Sequence, residues 1–210
     1  MRTRIKVCGV TRVEDARMVA EAGADAVGVV LTESPRRVTN EQAAAIRAAV
    51  PPGVKLVGVF GTEPPEIVDP AARSIGLDAV QVAGWLDRDA ERIFEVWHVI
   101  RAASLPDPIE LSMVPLRTYL LDGQDTARAG GSGKRADWAW AKRCVELGRR
   151  LIVAGGLTPE NVSTLVLEVR PFGVDASSGL ESEVGRKSPE RVRDFIDRVR
   201  AADRERPKRS

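Results

Sequence analysis

This chain has little of what marks several large functional classes. Aromatic residues make up only 4% of its 210 positions, too few for a surface that stacks nucleobases. Neither sign of charge dominates. Against 30 Asp and Glu stand 32 Lys and Arg, a net charge of +2, which leaves no electrostatic footprint for a nucleic acid. The two cysteines, Cys8 and Cys144, lie far apart without CxxC spacing, so neither a disulfide framework nor a zinc site is indicated and both thiols are expected to be free. A single histidine, His98, argues against His-based triads and His-rich metal sites, and no metal is expected. No apolar run approaches the roughly 20 residues that span a bilayer, and the N-terminus lacks the apolar core of a signal peptide. The expectation is a soluble, cytoplasmic protein that binds neither nucleic acid nor membrane.

What is present is alternation. Short Val/Ile/Leu-rich runs recur at 5–8, 26–30, 55–60, 79–82, 98–102, 118–121, 151–154 and 172–175, and each reads as a buried strand. Segments 13–21, 40–49, 65–74, 138–147 and 159–169 carry helical periodicity and start signals, clearest at Thr158-Pro159-Glu160, with Thr as N-cap and Pro at the first helical position. Gly23-Ala24-Asp25-Ala26-Val27 returns 53 residues later as Gly76-Leu77-Asp78-Ala79-Val80, an echo of repeated βα units. Eight such units at this length predict a single-domain (β/α)8 barrel over residues 1–203, with an open doubly wound sheet as the alternative. Pro106, Pro108 and Pro115 forbid a long fifth helix, so a short or irregular connection is expected there. Residues 204–210 read as a charged, solvated tail.

Three glycine-rich turns carry the first chemical signal. They are Gly130-Gly131-Ser132-Gly133-Lys134, Ala154-Gly155-Gly156-Leu157 and Ser177-Ser178-Gly179, the last two directly after apolar runs. Without a Cβ, backbone N–H groups can approach an anion closely, so the trio suggests one phosphate cradle and a small phosphorylated substrate. In such a barrel the strand C-termini form the active site. Cys8 ends the first strand, with Lys6 on the same face, where an ammonium favours a thiolate; position alone also allows a small buried hydrophobe. Asp122 ends the sixth strand and Asp175 the eighth, each readable as an acid or as a turn cap. Arg36, in Ser34-Pro35-Arg36-Arg37, could grip a carboxylate with its planar fork or simply be solvated. His98 opens its run and is assigned to structure, as is Cys144 within a helix.

The series Lys6-Val7-Cys8-Gly9-Val10-Thr11, Gly23-Ala24-Asp25-Ala26-Val27-Gly28, Ser34-Pro35-Arg36, Val57-Gly58-Val59-Phe60, Leu120-Leu121-Asp122, Gly130 to Lys134, Ala154 to Val162 and Val174 to Glu181 resembles the signature blocks of phosphoribosylanthranilate isomerases. The likeness runs in order along nearly the whole chain and is weakest from Trp85 to Arg117. It implies a cofactor-free Amadori rearrangement in tryptophan biosynthesis, by a monomer or homodimer. By the same resemblance Asp122 is the general acid and Cys8 the base. Arg36 holds the substrate's carboxylate, Asp175 lines the anthranilate side, and Gly131, Ser132, Gly133, Gly155, Gly156, Ser177 and Ser178 hold the phosphate.

One departure stands out. The family commonly has His in the block after the fourth strand, whereas this chain reads Val80-Gln81-Val82-Ala83-Gly84-Trp85. The lost imidazole keeps open a diverged paralogue that isomerises or binds another phosphorylated sugar amine. A related histidine-pathway isomerase resembles two half-barrels with Asp at the first and fifth strand ends, and Cys8 at the first speaks against it. A non-catalytic phosphate sensor is opposed by the presence of both Cys8 and Asp122.

Overall fold

In a computed structural model that describes residues 2–83, 93–101, 107–113, 118–123 and 134–205, eight parallel strands close into a barrel. They are β1 (Arg4–Val7), β2 (Ala26–Val30), β3 (Lys55–Val59), β4 (Ala79–Val82), β5 (Glu95–Arg101), β6 (Thr118–Asp122), β7 (Arg150–Ala154) and β8 (Gly173–Ala176), paired in that order with β8 returning to β1. Helices α1 (Val13–Glu21), α2 (Asn40–Ala49), α3 (Pro65–Ile75), α4 (Pro108–Met113), α5 (Lys134–Glu146), α6 (Pro159–Val169) and α7 (Pro189–Glu205) follow the strands other than β4, after which no helix lies among the described residues, and a hairpin of β9 (Glu181–Glu183) and β10 (Arg186–Lys187) comes between β8 and α7. The expected single-domain (β/α)8 barrel is the fold observed.

Strand alternation sorts the side chains into two sets. Ile5, Val7, Val27, Leu56, Val80, Leu151 and Val174 join Ile46, Leu165 and Phe195 in the main core between sheet and helices. The other set faces the barrel axis, where Ala26, Val57, Ala79, Trp97, Leu120 and Ile152 form a separate buried cluster. Toward the strand C-termini the axis turns polar, with Lys6, Gln81 and Asp175 all buried and Lys6 in register with Asp175. The amphipathic pattern therefore places a dry floor beneath a charged mouth.

The ends of the chain are tied together. Asp203 of α7 accepts hydrogen bonds from the Thr3 backbone N–H (2.8 Å) and hydroxyl (2.7 Å), while Arg200 donates to the Thr3 carbonyl (2.7 Å) and to Asp25 (3.0 Å). Asp25 also pairs with Arg4 and Arg2 and accepts from the Ile5 N–H, so one carboxylate joins β1, the start of β2 and the last helix.

The structure corrects several sequence expectations. Strand β5 begins at Glu95, so His98 lies in its middle, buried and in register with Tyr119. Its first residues are hard to read as strand because Glu95 is polar; in the fold Glu95 pairs with Lys55 and accepts from the Trp97 indole N–H. The sequence reading also omits the β9–β10 hairpin and α7. The helix is mostly charged, with one narrow buried stripe of Val192, Phe195, Ile196, Val199 and Ala202. It continues to Glu205, two residues past the expected boundary. The short fifth connection contains α4, six residues long; Pro106 and Pro115 lie outside the described residues, as do Gly130 to Gly133, Gly84, Trp85 and residues 206–210.

Candidate active site

At the C-terminal mouth, β1 hands its chain to β8 and β2: the Cys8 N–H donates to the Ala176 carbonyl (2.8 Å) and the Val10 N–H to that of Gly28 (2.9 Å). Cys8 follows β1 directly and is only 9% exposed. Gly28 makes room for it, since a Cβ there would lie 2.9 Å from both Cys8 Sγ and Lys6 Cε. Gly9 turns the chain in the left-handed region at φ 71°, and a Cβ would meet Arg36 Cδ at 2.6 Å and Ser177 Oγ at 2.8 Å. The tight Cys8-Gly9 corner thus draws the loop after β2 and the turn after β8 to the same point.

Lys6 reaches up the axis, donating to Asp175 Oδ2 at 2.6 Å and to Gln81 Oε1 at 2.9 Å. Burial works against its ammonium, but the charges of Asp175 and Cys8 outweigh it and hold Lys6 protonated above its ordinary range. Burial likewise pushes the Cys8 thiol up, opposed first by Lys6. Asp175 is raised by burial against the pull of Lys6, with the charge of Asp122 adding to the rise. Asp175 Oδ1 is buried without a hydrogen-bond partner among the described residues. An unfilled carboxylate acceptor in a polar mouth is suited to a donor carried in by a ligand. Asp122 ends β6, half-buried and in register with Ala154 of β7.

Arg36 is held by Glu181, which takes Nε and Nη2 at 2.7 Å each. The guanidinium's remaining edge, with Nη1, is what it can offer a ligand carboxylate. Buried Lys187 also donates to Glu181 (2.8 Å) and to the Ser177 carbonyl (3.2 Å). Burial disfavours the Glu181 carboxylate, but Arg36 and Lys187 together hold it down at about 2.

The two described glycine-rich turns share one design. Gly155 and Gly156 take positive φ values of 90° and 63°, and the Gly156 carbonyl accepts from Asn161 Nδ2 (2.9 Å). Beyond β8, the carbonyls of Ser177 and Gly179 accept from Lys187 and Arg191, the latter at 2.7 Å. Among the described residues no acceptor is found for the N–H groups of Gly155, Gly156, Ser177 or Ser178. Satisfied carbonyls and unclaimed amides are the arrangement an oxyanion needs. Gly131, Ser132 and Gly133, the third expected turn, lie outside the described residues.

The fold therefore brings Cys8, Arg36, Asp175, Ser177 and Ser178 to one mouth, with Asp122 and Gly155-Gly156 on its β6–β7 side. Sequence reasoning gave no role to Gln81, Glu181 or Lys187. Glu181 sat within a recognisable block, but Lys187 lies in a hairpin with no local signal. Cys144 is fully buried in α5, and burial raises its thiol to about 11, which marks it as inert. Among the described residues no cluster of His, Cys, Asp and Glu could hold a metal. A cavity of about 230 Å³ opens at the opposite mouth beside Arg4, Lys55, Glu95 and Arg150, away from the strand ends where barrel chemistry is built.

A model of the family described as N-(5'phosphoribosyl)anthranilate (PRA) isomerase matches residues 5–198. The N-(5'-phosphoribosyl)anthranilate isomerase of Trichlorobacter lovleyi is 40% identical over 205 residues, covering 95% of this chain and 98% of that one. The crystal structure of phosphoribosyl anthranilate isomerase from Thermotoga maritima has a TM-score of 0.83 at 36% identity, covering 95% of this chain and 99% of that one. A phosphoribosyl anthranilate isomerase in complex with reduced 1-(o-carboxyphenylamino)-1-deoxyribulose 5-phosphate has a TM-score of 0.77 at 32% identity, with the same coverage. With a family match and close relatives spanning nearly its whole length, this chain belongs to the N-(5'-phosphoribosyl)anthranilate isomerase family.

Proposed function

We propose that this protein isomerises N-(5'-phosphoribosyl)anthranilate to 1-(2-carboxyphenylamino)-1-deoxyribulose 5-phosphate, a step of tryptophan biosynthesis, with Cys8 as base and Asp122 as acid. The observation that carries the assignment of roles is the meeting, at one mouth, of a lysine-backed thiol, carboxylates and amide-rich turns. Asp122 protonates the furanose ring oxygen, and the bond from that oxygen to C1 breaks as the amine nitrogen's lone pair forms a protonated Schiff base. The Cys8 thiolate then removes the C2 proton, and the C2–H electrons form a C1–C2 double bond while the iminium pair returns to nitrogen. The resulting enolamine tautomerises by losing its hydroxyl proton and gaining one at C1, which gives the ketone.

Each remaining group has a matching task. The open edge of Arg36 faces the substrate's carboxylate. Asp175 Oδ1 accepts from the N–H of the anthranilate nitrogen and steadies the iminium charge. The amides of Gly155, Gly156, Ser177 and Ser178, with those of Gly131, Ser132 and Gly133, hold the phosphate. No cofactor is proposed for the scheme. No described helix is long and apolar enough to cross a membrane, and a cytoplasmic monomer or homodimer is proposed.

A second reading rests on half-buried Ala83, where the family's usual imidazole is missing: a diverged paralogue acting on another phosphorylated sugar amine. One assay decides. Purified protein is expected to consume phosphoribosylanthranilate catalytically, with loss of its fluorescence, and to leave the aminoimidazole carboxamide substrate of the histidine-pathway isomerase unchanged. No loss of fluorescence from folded protein would overturn the assignment in favour of the paralogue.

A further inference from the structure

Lys6 is one of the largest fully buried side chains of the described residues, at 2% exposure. Removing an ammonium from water is costly unless its donors are met, and packing alone is served by a methionine of similar length. The three ammonium donors are limited in where they can point. Two are spent on Asp175 Oδ2 at 2.6 Å and Gln81 Oε1 at 2.9 Å. The group also interacts with the Cys8 thiol, two residues along on the same strand face. β2 contributes Gly28, where a Cβ would lie 2.9 Å from both Cys8 Sγ and Lys6 Cε. Three strands besides β1 thus shape the space around a lysine head and a sulfur.

We propose that Lys6 is a positioning residue for proton abstraction: clamped between Asp175 and Gln81, its ammonium is the counter-charge of the Cys8 thiolate. The proposal rests on the acid–base reading above. The charged groups around the sulfur are Lys6 from β1, Asp175 from β8, Lys187 from β10 and Arg36 from the loop after β2, with Asp122 of β6 beyond Asp175. Glu181 neutralises part of this field by binding both Lys187 and Arg36. Within the set of Lys6, Lys187, Arg36, Asp175 and Glu181, three cations stand against two carboxylates, and a thiolate completes the balance. Asp175 alone would repel that thiolate, so the ammonium that joins them is what lets a carboxylate and a thiolate share one mouth. Gln81, neutral and accepting through Oε1, fixes the ammonium without adding a second negative charge.

The test uses Lys6→Met in a Cys144→Ala background, so that one thiol remains. Alkylation of Cys8 by iodoacetamide is measured across pH beside the pH profile of kcat/KM. Loss of an adjacent cation is expected to move both midpoints upward by about 1–3 pH units, a fall of roughly 10- to 1000-fold at pH 7 that is recovered at alkaline pH. A packing role would instead lower the rate at all pH values with the midpoint unmoved, and that result from folded protein overturns the proposal. If Lys6→Met does not fold, Gln81→Glu puts a competing carboxylate on the ammonium; an upward shift of the alkylation midpoint supports the pairing and no shift overturns it. Alkylation needs no turnover, so a shifted midpoint in a protein inactive on phosphoribosylanthranilate would sink the functional reading and leave the lysine–thiolate pair standing.

Discussion

At the residue scale the chemistry depends on a few atoms whose replacement is nearly isosteric. Cys8→Ser keeps the shape of the mouth but replaces the thiol with a far weaker acid, so turnover should vanish while the folded protein still binds phosphate; near-wild-type kcat would remove Cys8 from the mechanism. Asp122→Asn keeps the hydrogen-bonding outline and loses the proton donor, and kcat is expected to fall on the order of 10²-fold or more. A drop of only a few-fold would return Asp122 to capping its turn. Ala83 is the informative position for specificity. If the family's usual imidazole only orients substrate, Ala83→His should raise kcat/KM for phosphoribosylanthranilate or leave it level. If the mouth has been rebuilt for another amine, both proteins should be nearly inactive on it. Parallel kinetics on the two proteins separate these cases.

At the scale of elements, the turns after β7 and β8 depend on each other. Gly179 sits so close to the neighbouring turn that a Cβ would lie 2.1 Å from the Leu157 carbonyl oxygen and 2.9 Å from Thr158 Cγ2. The obstacle is backbone, which cannot rotate aside. Gly179→Ala should therefore push the two turns apart, costing about 1–3 kcal/mol or somewhat more in stability as an overpacked site does. It should also raise KM for the phosphorylated substrate more than it lowers kcat. Thermal unfolding and steady-state kinetics check both halves, and an unchanged KM would separate these turns from phosphate binding. The β9–β10 hairpin serves the same mouth from outside. Its Lys187 N–H donates to Asp15 of α1 (3.0 Å), and its ammonium reaches back to Glu181, so the hairpin braces Arg36 through one carboxylate.

For the whole molecule, barrel closure rests on carboxylates that tie distant parts together, and this sets its response to acid. Asp25 is held below its ordinary range: burial opposes the charge, but the Ile5 N–H, Arg200 and Arg4 outweigh it. Glu181 is held at about 2. Both folded-state values lie below those of the unfolded chain, so their contribution is complete above the ordinary carboxylate range and is lost as pH falls through the folded values. The melting temperature should fall steeply between about pH 4.5 and pH 2. Glu181→Gln should flatten part of that slope while lowering the neutral plateau, because Arg36 and Lys187 then lose their shared partner. A slope identical to wild type would show that Glu181 is not coupled to folding.

Alternating apolar runs and helix signals determined the βα order by themselves, since burial between an outer ring of helices and the barrel interior demands that pattern locally. Cys8, Asp122 and Asp175 were legible as site candidates because a barrel places its chemistry where strands end. What the sequence could not carry was pairing across distance. Lys6 and Asp175 are 169 residues apart and Lys6 and Gln81 are 75 apart, and only closure of β8 on β1 sets them at hydrogen-bonding distance. The occupation of Arg36 by Glu181 across 145 residues, and the brace from Lys187, are likewise tertiary decisions. Composition and periodicity choose which face each side chain shows, whereas the partner it meets there depends on which strands the closed barrel makes neighbours.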